Sequence, residues 1–260
     1  EAFGDERYRQ AAEDASDFLW NHHRRPDWGM FRASNRQKAE FNGVLDDYSF
    51  LADGLLDLFA VTGDLRHFTR AKTLLDEANQ HFRDPQGSWF FTQTNQETPL
   101  GRQVVPWDSV RPSGISRMLQ ATLKMAALTA SEADHKRVDT VLAGYANRMR
   151  RSGLGMAGWY SVALANSGPY YELIIAGEPA AADTQALHRV IETMRPSWVV
   201  TASVPADGPE ARLKALVPAT EGKVARKGKA QAYVCVRGAC NKPTGDPNEL
   251  RAQLLKGWTR

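Results

Sequence analysis

Two adjacent carboxylates, Asp46 and Asp47, open the apolar stretch VLDDYSFLADGLLDLFAVTGD at 44–64, where an acid pair stands out. Glycoside hydrolysis needs one carboxyl group to protonate the leaving oxygen and another to act as base or nucleophile, held about 5 to 10 Å apart. Neighbours on a helix point about 100° apart, so Asp108 from a later loop is the better partner for either. Their structural role competes with this, because acids in a first helical turn answer the macrodipole and cap free N–H groups. Asp108 and Ser109 ahead of Pro112 are likewise ordinary helix-start residues. Trp107, Asp108 and Arg111 still form a compact aromatic, acid and guanidinium set of the kind that holds sugars. Trp28, Tyr48 and Trp89 add aromatic surface for stacking, with packing under the loops as the competing use of the indoles.

The remaining chemistry is sparse. Cys235 and Cys240 are spaced C-x4-C, without the tighter pairs or the matching His group of a zinc site, so no metal is expected. They are too few for a disulfide scaffold and fit a reducing compartment, with buried thiols as the default and redox exchange as the sharper reading. His22-His23 closes a helix and answers its dipole. No Gly-rich phosphate loop and no serine nucleophile elbow occur, and no cofactor is expected.

Helices must position these groups. Val44, Tyr48, Leu51, Leu55 and Leu58 recur at helical spacing, and Leu45, Ala52, Leu56 and Phe59 widen the stripe into a helix buried on most sides, ended by Gly63. A helix from about Asp5 to Arg24 puts Tyr8, Ala11, Ala15, Phe18 and His22 on one face, and Pro26 stops it. Phe68, Ala71, Leu75, Ala78 and Phe82 repeat that row 60 positions later, and the aromatic turns 27–31 and 87–91 repeat with it. Such a period describes stacked helical hairpins. Further helices are expected over 112–129, through Val138, Leu142, Tyr145 and Met149, and within 156–166, with no strand before Gly168. The long loops 25–43 and 83–111 fall at one end of this array, where a binding site is expected.

From Pro169 the pattern changes. Strands are expected at 170–176, 197–202 and 232–236, with helices at 183–194 and 246–255 and a mobile surface excursion over 204–229. The chain thus divides into a helical-hairpin part, 1–168, and a small α/β segment, 169–260. At 260 residues and 42% hydrophobic, it has enough for a substantial core. No apolar run is long enough to span a membrane. The net charge is +3, but residues 201–260 carry 11 Lys and Arg against 5 Asp and Glu. That tail lacks the dense basic clusters of a nucleic-acid binder. A start at Glu1 reads as a piece of something longer.

Three stretches, LDDYSFLADGLLDLF at 45–59, DSVRPSGIS at 108–116 and AYVCVRGACNKPTGDPNEL at 232–250, resemble the last third of thioredoxin-domain-containing proteins of the spermatogenesis-associated protein 20 type. The motif departs from the family at Ile115, where Asn is usual. The resemblance implies a mainly α chain: part of an (α/α)6 toroid like those of six-hairpin glycosidases and sugar epimerases, followed by the α/β appendix. Its implied partners are the missing half of the ring and an N-terminal thioredoxin-like domain, with which Cys235 and Cys240 could exchange; the low cysteine count points to a cytoplasmic setting, with a periplasmic one left open. Two functions follow as expectations. One is a sugar-active or sugar-binding ring using Asp46, Asp47 and Asp108 as acid and base groups and Trp28, Tyr48, Trp89, Trp107 and Arg111 as ligand contacts. The other is a non-catalytic scaffold working with the thioredoxin-like domain. The isolated piece is expected to be inactive, since half a ring leaves its cavity wall open.

Overall fold

The computed structural model describes residues 5–35, 38–94 and 96–256. The architecture is mainly α, with a small α/β part at the C-terminal end. Helix α1 spans Glu6–His23, α2 Leu45–Thr62, α3 Leu65–His81, α4 Gly114–Thr129, α5 Glu132–Ser152 and α6 Ala157–Asn166. Their starts follow from the sequence. Asp5 and Asp64 accept from the backbone N–H groups of Arg7 and Arg66, and Ser113 and Ser131 do the same for Ser116 and Asp134. Gly63 ends α2 in the left-handed conformation, φ 70°, with its N–H on the Phe59 carbonyl.

The second helix is the organising element. Leu45, Tyr48, Ala52, Leu55, Leu56 and Phe59 are all at most 1% exposed, and α2 packs against both α3 and α4. The repeat is also real in space. Arg24 bridges to Met30 in an isolated antiparallel pair, and Arg83 bridges to Trp89 in the same way after the equivalent helix. The expected apolar row of α3 is buried throughout.

Four expectations need correction. The loop 25–43 is not free of strands: β1 Phe31–Ser34 and β2 Ala39–Asn42 form a short antiparallel hairpin, so strands do occur before Gly168. This hairpin has few apolar residues to announce it and is held by register rather than burial. Next, the Tyr8, Ala11, Ala15, Phe18 row of α1 faces outward, with Tyr8 60% and Phe18 48% exposed. The opposite face docks on α3, through Arg70 to Asp17, Arg24 to Glu77, and both guanidiniums over Trp20. Residues 204–229 also contain α8 Ala211–Leu216 and a 3-10 turn Pro218–Thr220, anchored by buried Leu213, Val217 and Thr220. Finally, Cys235 and Cys240 are joined in a disulfide, not held as separate thiols.

The C-terminal sheet has strand order β4-β3-β5-β6, with β3 Tyr171–Ala176, β4 Val199–Val204, β5 Gln231–Val236 and β6 Ala239–Cys240. Helix α7, Ala182–Met194, connects the parallel pair β3 and β4, and α9, Pro247–Leu255, follows the antiparallel strands. Alternate residues serve two cores, as the strand period requires. Leu173, Ile175 and Val234 meet Leu187, Leu250 and Leu254 under α7 and α9. Ile174, Ala202, Val204, Tyr233 and Cys235 join the same apolar cluster as α2, α3 and α4, so one continuous core crosses residue 168.

Candidate functional site

The long-loop end of the helices gathers most of the residues singled out by type. Asp46 lies in the first turn of α2, and its Oδ2 accepts from Nη2 of Arg111 at 2.8 Å. Its other oxygen sits against the start of α4, so close that a Cβ on Gly114 would lie 2.3 Å from Oδ1. Burial pushes the Asp46 carboxyl above its ordinary value, against the opposing pull of Arg111 and Arg32. The Arg111 guanidinium lies 5.6 Å from the centre of the Phe50 ring, which Arg117 also approaches at 5.9 Å.

Asp47 has a different job. Its Oδ2 accepts from the Val44 N–H at 2.8 Å, which is half of a capping box, since Val44 offers no side-chain oxygen in return. Burial pushes this carboxyl up as well. Asp108 joins two helices: one oxygen accepts from the Ser113 N–H at 2.7 Å, ahead of α4, and the other from the Gly158 N–H at 2.6 Å, in the first turn of α6. Asp46 and Asp108 both have backbone contacts at the start of α4, and Asp108 meets backbone donors with both oxygens.

The aromatic candidates divide by exposure. Trp89 is fully buried with its indole N–H on Asn79, and Tyr48 is fully buried with its hydroxyl accepting from the Met30 N–H. Trp28 stacks face to face on His81 at 3.6 Å, which occupies one side of its ring. Trp107 is 50% exposed, with Arg148 over it at 5.6 Å. The polar set that remains is thus the part-buried Asp46 with the exposed Arg111, in the field of Arg32 and beside Phe50, while Trp107 lies under Arg148 of α5. Arg32, Phe50 and Arg117 escaped sequence reasoning, because cationic and aromatic residues scattered over loop and helix carry no spacing signal. Ile115, the departure from the family motif, is 1% exposed and part of the core, where an apolar residue is at home.

A second polar cluster lies between α2 and α4. Lys124 bridges Asp53 at 2.7 Å and Asp57 at 2.5 Å, and Arg117 approaches Asp53 from the next turn at 3.2 Å. The two acids hold the Lys124 ammonium above its usual range although burial opposes this. Asp53 and Asp57 of α2 are therefore bridged from α4, while Asp46 is held by Arg111 of the preceding loop and Ser49 donates to the Asp46 carbonyl of its own helix. No group of three or more His, Cys, Asp or Glu side chains able to hold a metal ion occurs among the described residues, and no helix among them is long and apolar enough to cross a membrane.

No family model matches the sequence. The chain is 29% identical over 219 residues to spermatogenesis-associated protein 20 of Homo sapiens, and 28% identical over 217 residues to the Mus musculus and Rattus norvegicus proteins. Each alignment covers 82% of this chain but 27% of the relative, so the chain spans about a quarter of the curated proteins it matches. The resemblance carried by the α2, Asp108 and Cys235 motifs is thus one to the C-terminal part of spermatogenesis-associated protein 20, a mainly α segment with a small α/β end.

Proposed function

We propose that this chain is the C-terminal portion of a helical ring of the six-hairpin kind, and that its long-loop end binds a polyhydroxy ligand without cleaving it. The Asp46–Arg111 pair carries this reading. It joins an acid to a half-exposed guanidinium beside the Phe50 ring, and Arg111 keeps 54% of its side chain in solvent. Hydrolysis asks for two carboxyl groups free to move protons, whereas Asp47 and Asp108 hold backbone N–H groups at helix starts. Binding to a glycan array, compared with Asp46→Asn and Arg111→Ala, tests it. Retention of a glycan by the parent chain and at least about tenfold weaker retention by both variants is expected, the loss for a charge-assisted hydrogen bond. Turnover of nitrophenyl glycosides by the chain, or equal retention by the variants, sinks the reading.

The scaffold reading is favoured by a separate observation. The outward row of α1, with Tyr8 and Phe18, is the kind of face a preceding hairpin would cover, and the relatives are long enough to supply one. In that reading the missing half of the ring and a thioredoxin-like domain of a longer chain are the partners.

A further inference from the structure

Cys235 and Cys240 are directly opposite in the β5–β6 ladder, on either side of the Arg237-Gly238 turn, both of whose residues have positive φ. The two sulfurs differ in surroundings. Cys235 is 2% exposed and belongs to the main core, whereas Cys240 is exposed and its Sγ accepts from the Lys223 ammonium at 3.2 Å. On the other side of β5, Cys235 is paired in register with Glu172 of β3, and directly opposite residues hold their Cβ atoms about 4.5–5.5 Å apart on one face of the sheet.

Glu172 ties the Arg237-Gly238 turn with one side of its carboxyl and leaves the other side buried without a partner. It is 2% exposed, the second residue of a strand whose other residues are apolar or aromatic. One carboxyl oxygen accepts from the Gly238 N–H at 3.2 Å, and the other, Oε1, is buried with no hydrogen-bond partner. Burial pushes the carboxyl up, against the backbone N–H groups of Gly238 and Arg237 and the field of Lys223. The other charged or titratable groups around this corner are accounted for. Tyr233 exchanges hydrogen bonds with the Val224 backbone, and Arg237 pairs with Glu132 of α5, which also carries His135. Burial thus favours the neutral form of this carboxyl, on the strand position paired with that of the buried sulfur.

We propose that Cys235–Cys240 is an exchangeable disulfide for dithiol substrates, with Glu172 as the proton source for the buried sulfur and Lys223 as the cation that steadies the exposed one. This inference is independent of the glycan reading. In the first step a substrate thiolate attacks Cys240 Sγ, the reachable sulfur. The S–S bond breaks, its electron pair goes to Cys235, and the Glu172 proton passes to that sulfur, so no thiolate is stranded in the core. In the second step the other substrate thiolate attacks its own sulfur in the mixed disulfide. That releases Cys240 as a thiolate beside Lys223, leaves the substrate oxidised to its disulfide and the protein reduced, and Glu172 regains a proton from water. Run in reverse, the Cys240 thiolate is the nucleophile toward an oxidised substrate, activated by the adjacent ammonium.

Native-state reduction by dithiothreitol, followed by mass shift after alkylation and corrected for the thiolate fraction of the reagent, tests the proposal. The wild-type rate should fall as pH rises through the titration of Glu172, and Glu172→Gln should be at least about tenfold slower with no such fall, a modest general-acid effect. In the reduced protein, the iodoacetamide reaction at Cys240 should reach its midpoint at lower pH than in Lys223→Met. A disulfide that resists dithiothreitol while the protein stays folded, a Glu172→Gln profile identical to wild type, or an unmoved Lys223→Met midpoint each overturns it. Should Glu172→Gln fail to fold, as judged by far-UV circular dichroism, the Lys223→Met midpoint decides alone.

Discussion

Asp47 and Asp108 are acids whose oxygens meet backbone N–H groups, and this geometry separates capping from chemistry more sharply than residue type does. A buried imidazole gives the same lesson in reverse. His67, on the buried face of α3, is fully enclosed, and neither ring nitrogen has a partner. Burial therefore holds its pKa below the ordinary 6.5, so the unfolded chain binds the proton first. Stability present above pH 6.5 should be lost as pH falls through that value toward the folded pKa. His67→Leu, of similar volume and without orphaned polar atoms, should flatten this acid limb and add roughly 1 kcal/mol at pH 5 in urea unfolding. A steeper limb or a loss of stability in the variant contradicts the assignment. Nothing in the local sequence marks His67 as buried beyond its place in a helical period. Asp46 was legible as a candidate, but its link to Arg111 needed 65 residues of chain to fold back.

Between elements, α4 begins tightly against the first turn of α2. A Cβ on Gly114 would stand 2.3 Å from Asp46 Oδ1 and 3.1 Å from the Asp46 backbone nitrogen, and a strand or helix backbone does not yield as a side-chain tip does. Gly114→Ala should therefore cost about 1–3 kcal/mol and break the Asp46–Arg111 pair. Gly54, on the same helix α2, has nothing within 4 Å of its Cβ position. Gly54→Ala should instead stabilise the protein by about 0.5–1 kcal/mol through helix propensity. Equal responses at the two glycines in thermal unfolding would show that crowding at this contact does not matter. The helices α2 to α5 were visible in the sequence because each carries its own period, and α6 and the strands β3 to β5 because they are short apolar runs. The hairpin β1–β2 and the short helix α8 were not, since neither is long enough to show one.

At the scale of the molecule, the layers are helices, sheet, helices, with the sheet's inner face sharing the core of α2 and α4. The outer edge of the helical layer is α1, whose apolar row is largely exposed, with Phe18 48% exposed. Tyr8→Lys together with Phe18→Lys should change the stability of this chain by less than about 0.5 kcal/mol, as for surface positions. On the scaffold reading, the same pair should weaken association with a helical hairpin that would precede this chain in a longer protein, measured by sedimentation. Unchanged association removes α1 as the docking edge.

The sequence by itself determined where the helices start and stop, which face of each is apolar, and that two similar helix–aromatic-turn units follow one another. Those properties reside in caps, glycines and periods within a few turns of chain. Only the tertiary structure decided which apolar face is covered, which acids are capped, and that Glu172, Cys235, Cys240 and Lys223 share one corner. Burial and contact between residues far apart in the chain depend on which element lies alongside, and α1 and α3 show this: similar rows of side chains, one enclosed by neighbours and one left facing water.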